Sequence, residues 1–379
     1  MDNRIVLDKE ALAGEFISLV TPDSLSYKER EVTDLLKEKL LELGFIVTED
    51  DAAAKIGGNA GNVYAFLPGD LPGDPILFTG HTDTVAPGTG KKAVRHPDGR
   101  ITSDGSTILG ADDFAGITEI LGGIRAVIRA GIPRRDIEIL FSPAEEVYTV
   151  GASVMDYSRV RAKEAYCLDL SGHIGTAAVQ APSLVSYSVT VKGKGAHAGF
   201  EPEKGIHAIA VAAEAIASLR QGHIDEETTL NIGTIEGGTQ INAVPALCRV
   251  TGEARGFDHE KVLTAAESVR KAFEAAAEKV GAEIKYEQSV HLHTYRNGED
   301  EPVVRHFRKA CESLGIPSKL QVTFGGSDVN QYILHGIRGL VISSGMFGTH
   351  TTSEYCCEQD LYDGAQLVAE LACMRTEEL

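Results

Sequence analysis

Phe78-Thr79-Gly80-His81-Thr82-Asp83-Thr84-Val85 is the stretch on which the reading of this chain turns. The apolar run over 75–78 reads as a buried strand that stops at Gly80. Beyond it stand a histidine and a carboxylate two positions apart. On extended backbone such positions point to the same side. Asp83 is therefore expected to hydrogen-bond one imidazole nitrogen of His81 and leave the other free for a metal. Ligand sites of open α/β sheets lie beyond the carboxyl ends of the strands, which is where this pair falls.

Upstream, helical spacing over 8–20 ends at Pro22. A second helix is expected to begin at Ser26, with Glu29 completing a capping box, and to stop at Gly44. Residues 45–47 and 63–66 read as strands. Downstream, 88–105 reads as a loop or hairpin. Gly110-Ala111-Asp112-Asp113 then opens a helix over 114–130, closed by Gly131 and Pro133. A strand over 137–141 runs into Glu145-Glu146, and one over 165–168 ends in Asp169. This alternation is an α/β pattern. The character changes near Leu184: strands over 185–191, 229–235, 247–256 and 282–287 interleave with helices over 205–219 and 259–280. That is a split βαββαβ, ferredoxin-like α+β arrangement. A helix over 302–314, a strand over 339–343 and a helix over 359–374 resume the α/β pattern. The expected architecture is a discontinuous α/β domain, 1–183 with 294–379, carrying an inserted domain over 184–293.

At 379 residues, 43% of them apolar, the chain is long enough for two packed cores. Its net charge of −19 argues against nucleic acid and anionic membrane surfaces as partners. Met1-Asp2-Asn3-Arg4 shows no apolar signal core, and no run of about 18 apolar residues occurs, so a cytoplasmic protein is expected. The six cysteines form no CxxC pair, and Cys356-Cys357 are adjacent, which fits free thiols.

Five potential ligands fall just after apolar strands or at loop-to-helix turns: His81, Asp112, Glu146, Asp169 and His350. Each alone has a bland reading, such as a helix cap for Asp112. Together, two histidines and three carboxylates suit a pair of Zn²⁺ ions, or the related Co²⁺ or Mn²⁺. One carboxylate bridging two ions about 3.5–4 Å apart is the two-metal hydrolase arrangement.

These residues, with their contexts, resemble the M20 metallopeptidases, and within them the peptidase T-like (aminotripeptidase-like) branch. The motifs are His81-Thr82-Asp83, Gly110-Ala111-Asp112-Asp113, Pro143-Ala144-Glu145-Glu146, Leu168-Asp169 and Gly348-Thr349-His350-Thr351-Thr352. Gly195-Ala196-His197-Ala198-Gly199 and Gly237-Gly238-Thr239-Gln240-Ile241-Asn242-Ala243-Val244-Pro245 match as well. The likeness spans nearly the whole chain. It implies a metallohydrolase domain with an inserted lid or dimerisation domain, and short peptides as substrates. One metal would take His81, Asp112 and Asp169, the other Asp112, Glu146 and His350. Asp83 would orient His81, and Glu145 would be the general base acting on a metal-bridged water. His197 would help hold the reacting carbonyl oxygen, either by domain closure or across a homodimer formed through the inserted domain.

For substrate contacts the resemblance implies Arg255 on a terminal carboxylate, Asn242, and a cradle at Gly325-Gly326-Ser327-Asp328, of which Gly326 and Ser327 are the candidate contacts. His291 and His293 share a strand face without carboxylates and read as structural. Phe114, Ala144, Tyr148 and His207 depart from the family pattern without removing a ligand or the base. Three readings stay open beside the aminopeptidase: a deacylase on N-acyl amino acids, a carboxypeptidase-type exopeptidase, and an inactive metal-binding relative.

Overall fold

A computed structural model describes residues 5–374; Met1-Asp2-Asn3-Arg4 lie outside the described residues. The chain divides into two compact units. One comprises residues up to Val179 together with those from Arg296 on, and the other is Gln180–Tyr295. The junctions fall a few residues outside 184–293 because the strand Ser183–Lys192 starts before the change in sequence character and pairs as far as Leu184↔Leu292.

The first unit is built on a nine-stranded mixed sheet. Its centre is four adjacent parallel strands in the order Ile137–Ser142, Ile76–His81, Glu164–Leu170, Arg338–Ser343. Ile137–Ser142 and Ile76–His81 are buried at every position, as expected of strands covered on both faces, and the buried Glu138 accepts the Tyr64 hydroxyl at 3.0 Å and the Arg161 N–H at 3.1 Å. Antiparallel strands Val63–Leu67 and Ile46–Glu49 extend one side. Helices Lys9–Val20, Ala111–Ala130 and Glu358–Cys373 pack on one another. Phe78, Phe114, Ile139, Tyr166, Leu340 and Val368 belong to one continuous core. Phe114, one of the family departures, is thus a core side chain. The uncertain 88–105 stretch holds a hairpin, Val94–Arg95 with Arg100–Thr102, which joins Tyr355–Cys357.

The second unit is a five-stranded antiparallel sheet ordered Gly222–His223, Thr228–Gly237, Leu247–Gly256, Ser183–Lys192, Glu283–Leu292. Val185, Tyr187, Val189 and Val191 alternate along one strand and bury against helices Ala208–Ser218 and His259–Glu278 through Val211, Val262 and Phe273. His207 caps the first of these helices: its Nδ1 accepts the Ala210 N–H at 3.2 Å, the job an asparagine does at that position.

One local expectation fails. The second helix is Arg30–Glu42, and neither Ser26 nor Glu29 makes a capping box. The Ser26 hydroxyl donates to Asp83 at 2.7 Å, and Glu29 accepts the N–H groups of Tyr27 at 2.6 Å and Ala144 at 3.1 Å. Long-range demand for donors and acceptors overrides the local cap. The helix expected over 114–130 is present: Ala111–Ala130 carries non-helical φ/ψ at Asp112 and Asp113, so its regular part begins at Phe114. The strand Thr176–Ala181 and the short helices Ala52–Ile56 and Val150–Ser153 were not expected. Alanine-rich or one-turn segments carry too little periodicity to read. Among the described residues no helix is long and apolar enough to cross a membrane, and the cysteines are free.

Glu119, on the helix Ala111–Ala130, is completely buried, and neither carboxylate oxygen has a hydrogen-bond partner among the described residues. Gly364 makes room for it: a Cβ there would stand 2.1 Å from the Glu119 carboxyl carbon. Burial, then the charge of Asp360, raises the Glu119 pKa well above the usual carboxylate range. A raised folded-state pKa contributes stability that is full below the unfolded-state pKa and is lost as pH rises towards the folded one. Glu119→Gln should therefore flatten the decline of the melting temperature above about pH 5, and its advantage over the parent should grow with pH. Melting curves that stay parallel across pH would show that Glu119 does not bury as the acid.

Candidate metal centre

The carboxyl ends of the parallel strands gather the five expected ligands. His81 ends its own strand, Asp169 stands near the end of the next, and Glu145-Glu146 follow Ser142. Asp112 comes from the irregular start of its helix, and His350 from the turn after Met346–Phe347 with φ of 63°. His81 Nε2 lies 2.9 Å from Asp112 Oδ1 and 3.9 Å from Asp169 Oδ1. His350 Nε2 lies 2.9 Å from Glu146 Oε1 and 3.3 Å from Asp112 Oδ2. Two groups of three ligand atoms could thus each hold an ion, and they share Asp112, which turns one oxygen towards each histidine.

The electrostatics fit cations here. Burial, then the charge of Asp112, raises the Asp169 carboxyl well above its ordinary range. Burial, then Asp169, does the same to Glu145. Burial raises Glu146 against the hydrogen bond from His350. Burial also opposes the ionised form of Asp112, but hydrogen bonds from His350 and His81 outweigh it and lower that pKa. Hydrogen bonds to Asp112 and Glu146 push His350 up to about 10. Buried carboxylates that repel one another, next to imidazoles they hold protonated, form a donor set whose charge divalent cations would offset.

Four further buried carboxylates shape the loops. Asp83 is less an acceptor for the His81 ring than expected: Nδ1 is 3.0 Å from the Asp83 backbone oxygen and 3.4 Å from its carboxylate. The carboxylate instead accepts the N–H of Glu145 at 2.8 Å and of Glu146 at 3.2 Å, besides Ser26. Its burial demands several donors, and the glutamate turn supplies them. Glu29 braces Ala144, whose φ is 54°; burial, then the charge of Asp83, raises the Glu29 pKa to about 7. Glu354 was not recognised in the sequence. Only 1% exposed, it accepts the N–H of Leu109 at 2.6 Å, Gly110 at 2.7 Å and Asp112 at 3.0 Å. Its one sequence signal is its place four residues after His350. Asp113 accepts the His81 N–H at 3.2 Å, and Gly80 leaves room for it, since a Cβ there would stand 2.5 Å from its Oδ2.

A cavity of about 270 Å³ opens on Asp112, Glu145, Glu146, Asp169 and His350, with Gly326 and Ser327 on its wall. The Ser327 hydroxyl accepts the Val329 N–H at 3.3 Å, so it serves its own turn. Tyr148, with φ of 74°, is 41% exposed. His197, Asn242 and Arg255 lie in the second unit. There His197 bridges Ala243, and Ala198 donates to the Asn242 carbonyl at 3.0 Å. Arg255 is paired through Nε with Glu253 at 2.6 Å. His291 Nε2 is 2.6 Å from the Ser186 hydroxyl, and the His293 ring lies tilted at 32° to that of His259, centroids 4.6 Å apart.

Residues 180–284 match the family description Peptidase dimerisation domain of M20, and residues 62–178 match Peptidase family M28. The aminopeptidase PepT from Bacillus cereus is 39% identical, with a TM-score of 0.89 over 97% of this chain and 98% of that one. A tripeptidase from Staphylococcus aureus is 31% identical, with a TM-score of 0.92 over 97% and 98%. A dinuclear metal-binding M20 peptidase from Bacillus subtilis shares the fold at 20% identity, with a TM-score of 0.71 over 96% and 97%.

Glu354 spans the loop that carries Asp112. Glu354→Gln keeps one acceptor oxygen for three donors, so metal affinity should fall about 10–100-fold, as for other residues that orient ligands. Metal titration reads this directly, and an unchanged isotherm would remove Glu354 from the site.

Proposed function

The chain belongs to the M20 family of metallopeptidases, in its peptidase T-like branch, and from that premise we propose a two-metal exopeptidase that trims short peptides from the amino end. The observation carrying this reading is the shared Asp112, one oxygen towards His81 and the other towards His350. In the proposed assignment one ion takes His81, Asp112 and Asp169, and the second takes Asp112, Glu146 and His350. Zn²⁺ is the expected metal, with Co²⁺ or Mn²⁺ suited to the same donors. Such ions, when bound, acidify the attacking water and polarise the substrate carbonyl.

Glu145 is the proposed general base. Its backbone is tied to Asp83 and its side chain faces the cavity, where it can take a proton from the water and return it to the leaving amine. Asp83 positions both His81 and the glutamate turn. A homodimer through the inserted domain, and a cytoplasmic setting, complete the proposal.

His197 is proposed to donate to the reacting carbonyl oxygen. Its Nδ1 accepts the N–H groups of Gly199 at 3.1 Å and Phe200 at 3.2 Å, which assigns the ring proton to Nε2. An exposed imidazole locked as an Nε2 donor suits an oxyanion. Arg255 would have to exchange Glu253 for a substrate carboxylate, so it supports the reading less.

A library of di- and tripeptides with free or blocked termini tests the substrate class. Cleavage confined to N-blocked members would favour a deacylase. Glu145→Gln should keep two ions per chain and lose about 10²–10⁴-fold in turnover, whereas Glu146→Gln should lose metal. Exchanged phenotypes would reverse the assignment within the pair. His197→Ala should lower turnover about 10²-fold with metal content unchanged. Activity recovered in His197→Ala/Glu145→Gln heterodimers would show that it acts across subunits, and no recovery would favour closure within one chain.

A further inference from the structure

We propose that the first unit carries a second binding site, for a small polyanion, at the amino ends of the strands whose carboxyl ends hold the metal ligands. A cavity of about 610 Å³ opens there, against about 270 Å³ at the metal centre. It lies in the range of small-molecule sites, about 300–1,000 Å³. Arg135, Lys163, Arg305 and Arg338 converge on it from four separate segments. Lys163 precedes the strand Glu164–Leu170, Arg338 begins its own strand, Arg135 stands just before Ile137–Ser142, and Arg305 lies in the first turn of the helix Pro302–Leu314.

The floor is built from buried polar side chains. Arg135, 3% exposed, donates to the Asp74 carbonyl at 2.7 Å and to Glu164. His306, 5% exposed, places Nδ1 2.6 Å from the second Glu164 oxygen. Glu164 is thus committed to two partners, and its hydrogen bonds with His306 and the charge of Arg135 lower its pKa against the effect of burial. Of the other carboxylates on the wall, Glu301 lies 3.9 Å from Arg338, and Asp74 is exposed to solvent. The helix Pro302–Leu314 begins here with no side-chain cap on its first turn, so its positive end adds to the same field.

Four cations against three carboxylates is a local excess on a chain with 36 basic and 55 acidic side chains. Planar guanidiniums from different segments can clamp phosphate or carboxylate oxygens in two-pronged fashion. The ligand class is a compact anion of two or more charges, phosphate- or carboxylate-bearing. This inference is independent of the peptidase assignment.

Calorimetric titration of the metal-loaded full chain with inorganic phosphate and with glutarate tests it. One anion should bind the parent protein, and the stronger of the two names the chemical source. Lys163→Glu combined with Arg305→Glu, both exposed positions, should weaken that binding at least about tenfold, with peptide turnover in anion-free buffer unchanged. His350→Ala should leave the binding intact. No binding of either anion to the parent, or binding that survives the charge reversals, overturns the proposal. Binding lost in His350→Ala overturns it too, by placing the anion at the metal centre.

Discussion

The Asp83 carboxylate lies wholly out of solvent, where an unpaired charge would cost more than any single packing contact contributes. It is met by the hydroxyl of Ser26 and by the backbone N–H groups of Glu145 and Glu146. That one demand joins the end of the central strand, the segment before the helix Arg30–Glu42, and the glutamate turn. Glu29 and Glu354 repeat the device at Ala144 and at the Leu109–Asp112 backbone. Side chains that do not line the cavity thereby fix the backbone from which the candidate ligands project. Because the acceptors are buried, these links hold without the solvent screening that weakens surface ion pairs.

The consequence is a concentration of negative charge at one end of a parallel sheet. Asp112, Asp169, Glu145 and Glu146 crowd within reach of two imidazoles, and burial resists ionising most of them. A site of this kind is unfavourable until cations arrive, which is the property a metal-dependent peptidase needs. The opposite end of the same strands has the reverse character, with Arg135, Lys163 and Arg338 near their starts. The strands between are largely buried, and the polar side chains within them, such as Glu138 and Glu164, are hydrogen-bonded.

The second unit follows different rules. Its sheet alternates buried and exposed positions, with helices on one face only. The loops bearing His197 and Asn242 are joined to each other by a β-bridge. The ring orientation of His197 is set by two neighbouring amides, a local device that works wherever the loop is carried.

Much of this was legible in the residues alone. The α/β pattern, the inserted βαββαβ unit and the five candidate residues that the fold brings together follow from apolar runs, helical spacing and motifs, because burial and backbone geometry write those patterns into adjacent residues. Glu354 was invisible: a lone glutamate past a histidine carries no sign of the three N–H groups it will accept. Ser26 and Glu29 misled for the same reason. Their spacing satisfies a local cap, but the buried Asp83 and Ala144 compete for them from about 57 and 115 residues away. The basic cavity likewise joins Arg135, Lys163, Arg305 and Arg338, which no sequence window contains. Periodicity and chemistry are local and can be read from the chain. Which donor meets which buried acceptor is decided only by the tertiary structure, because a charge removed from water takes whatever partner the fold brings within about 3 Å.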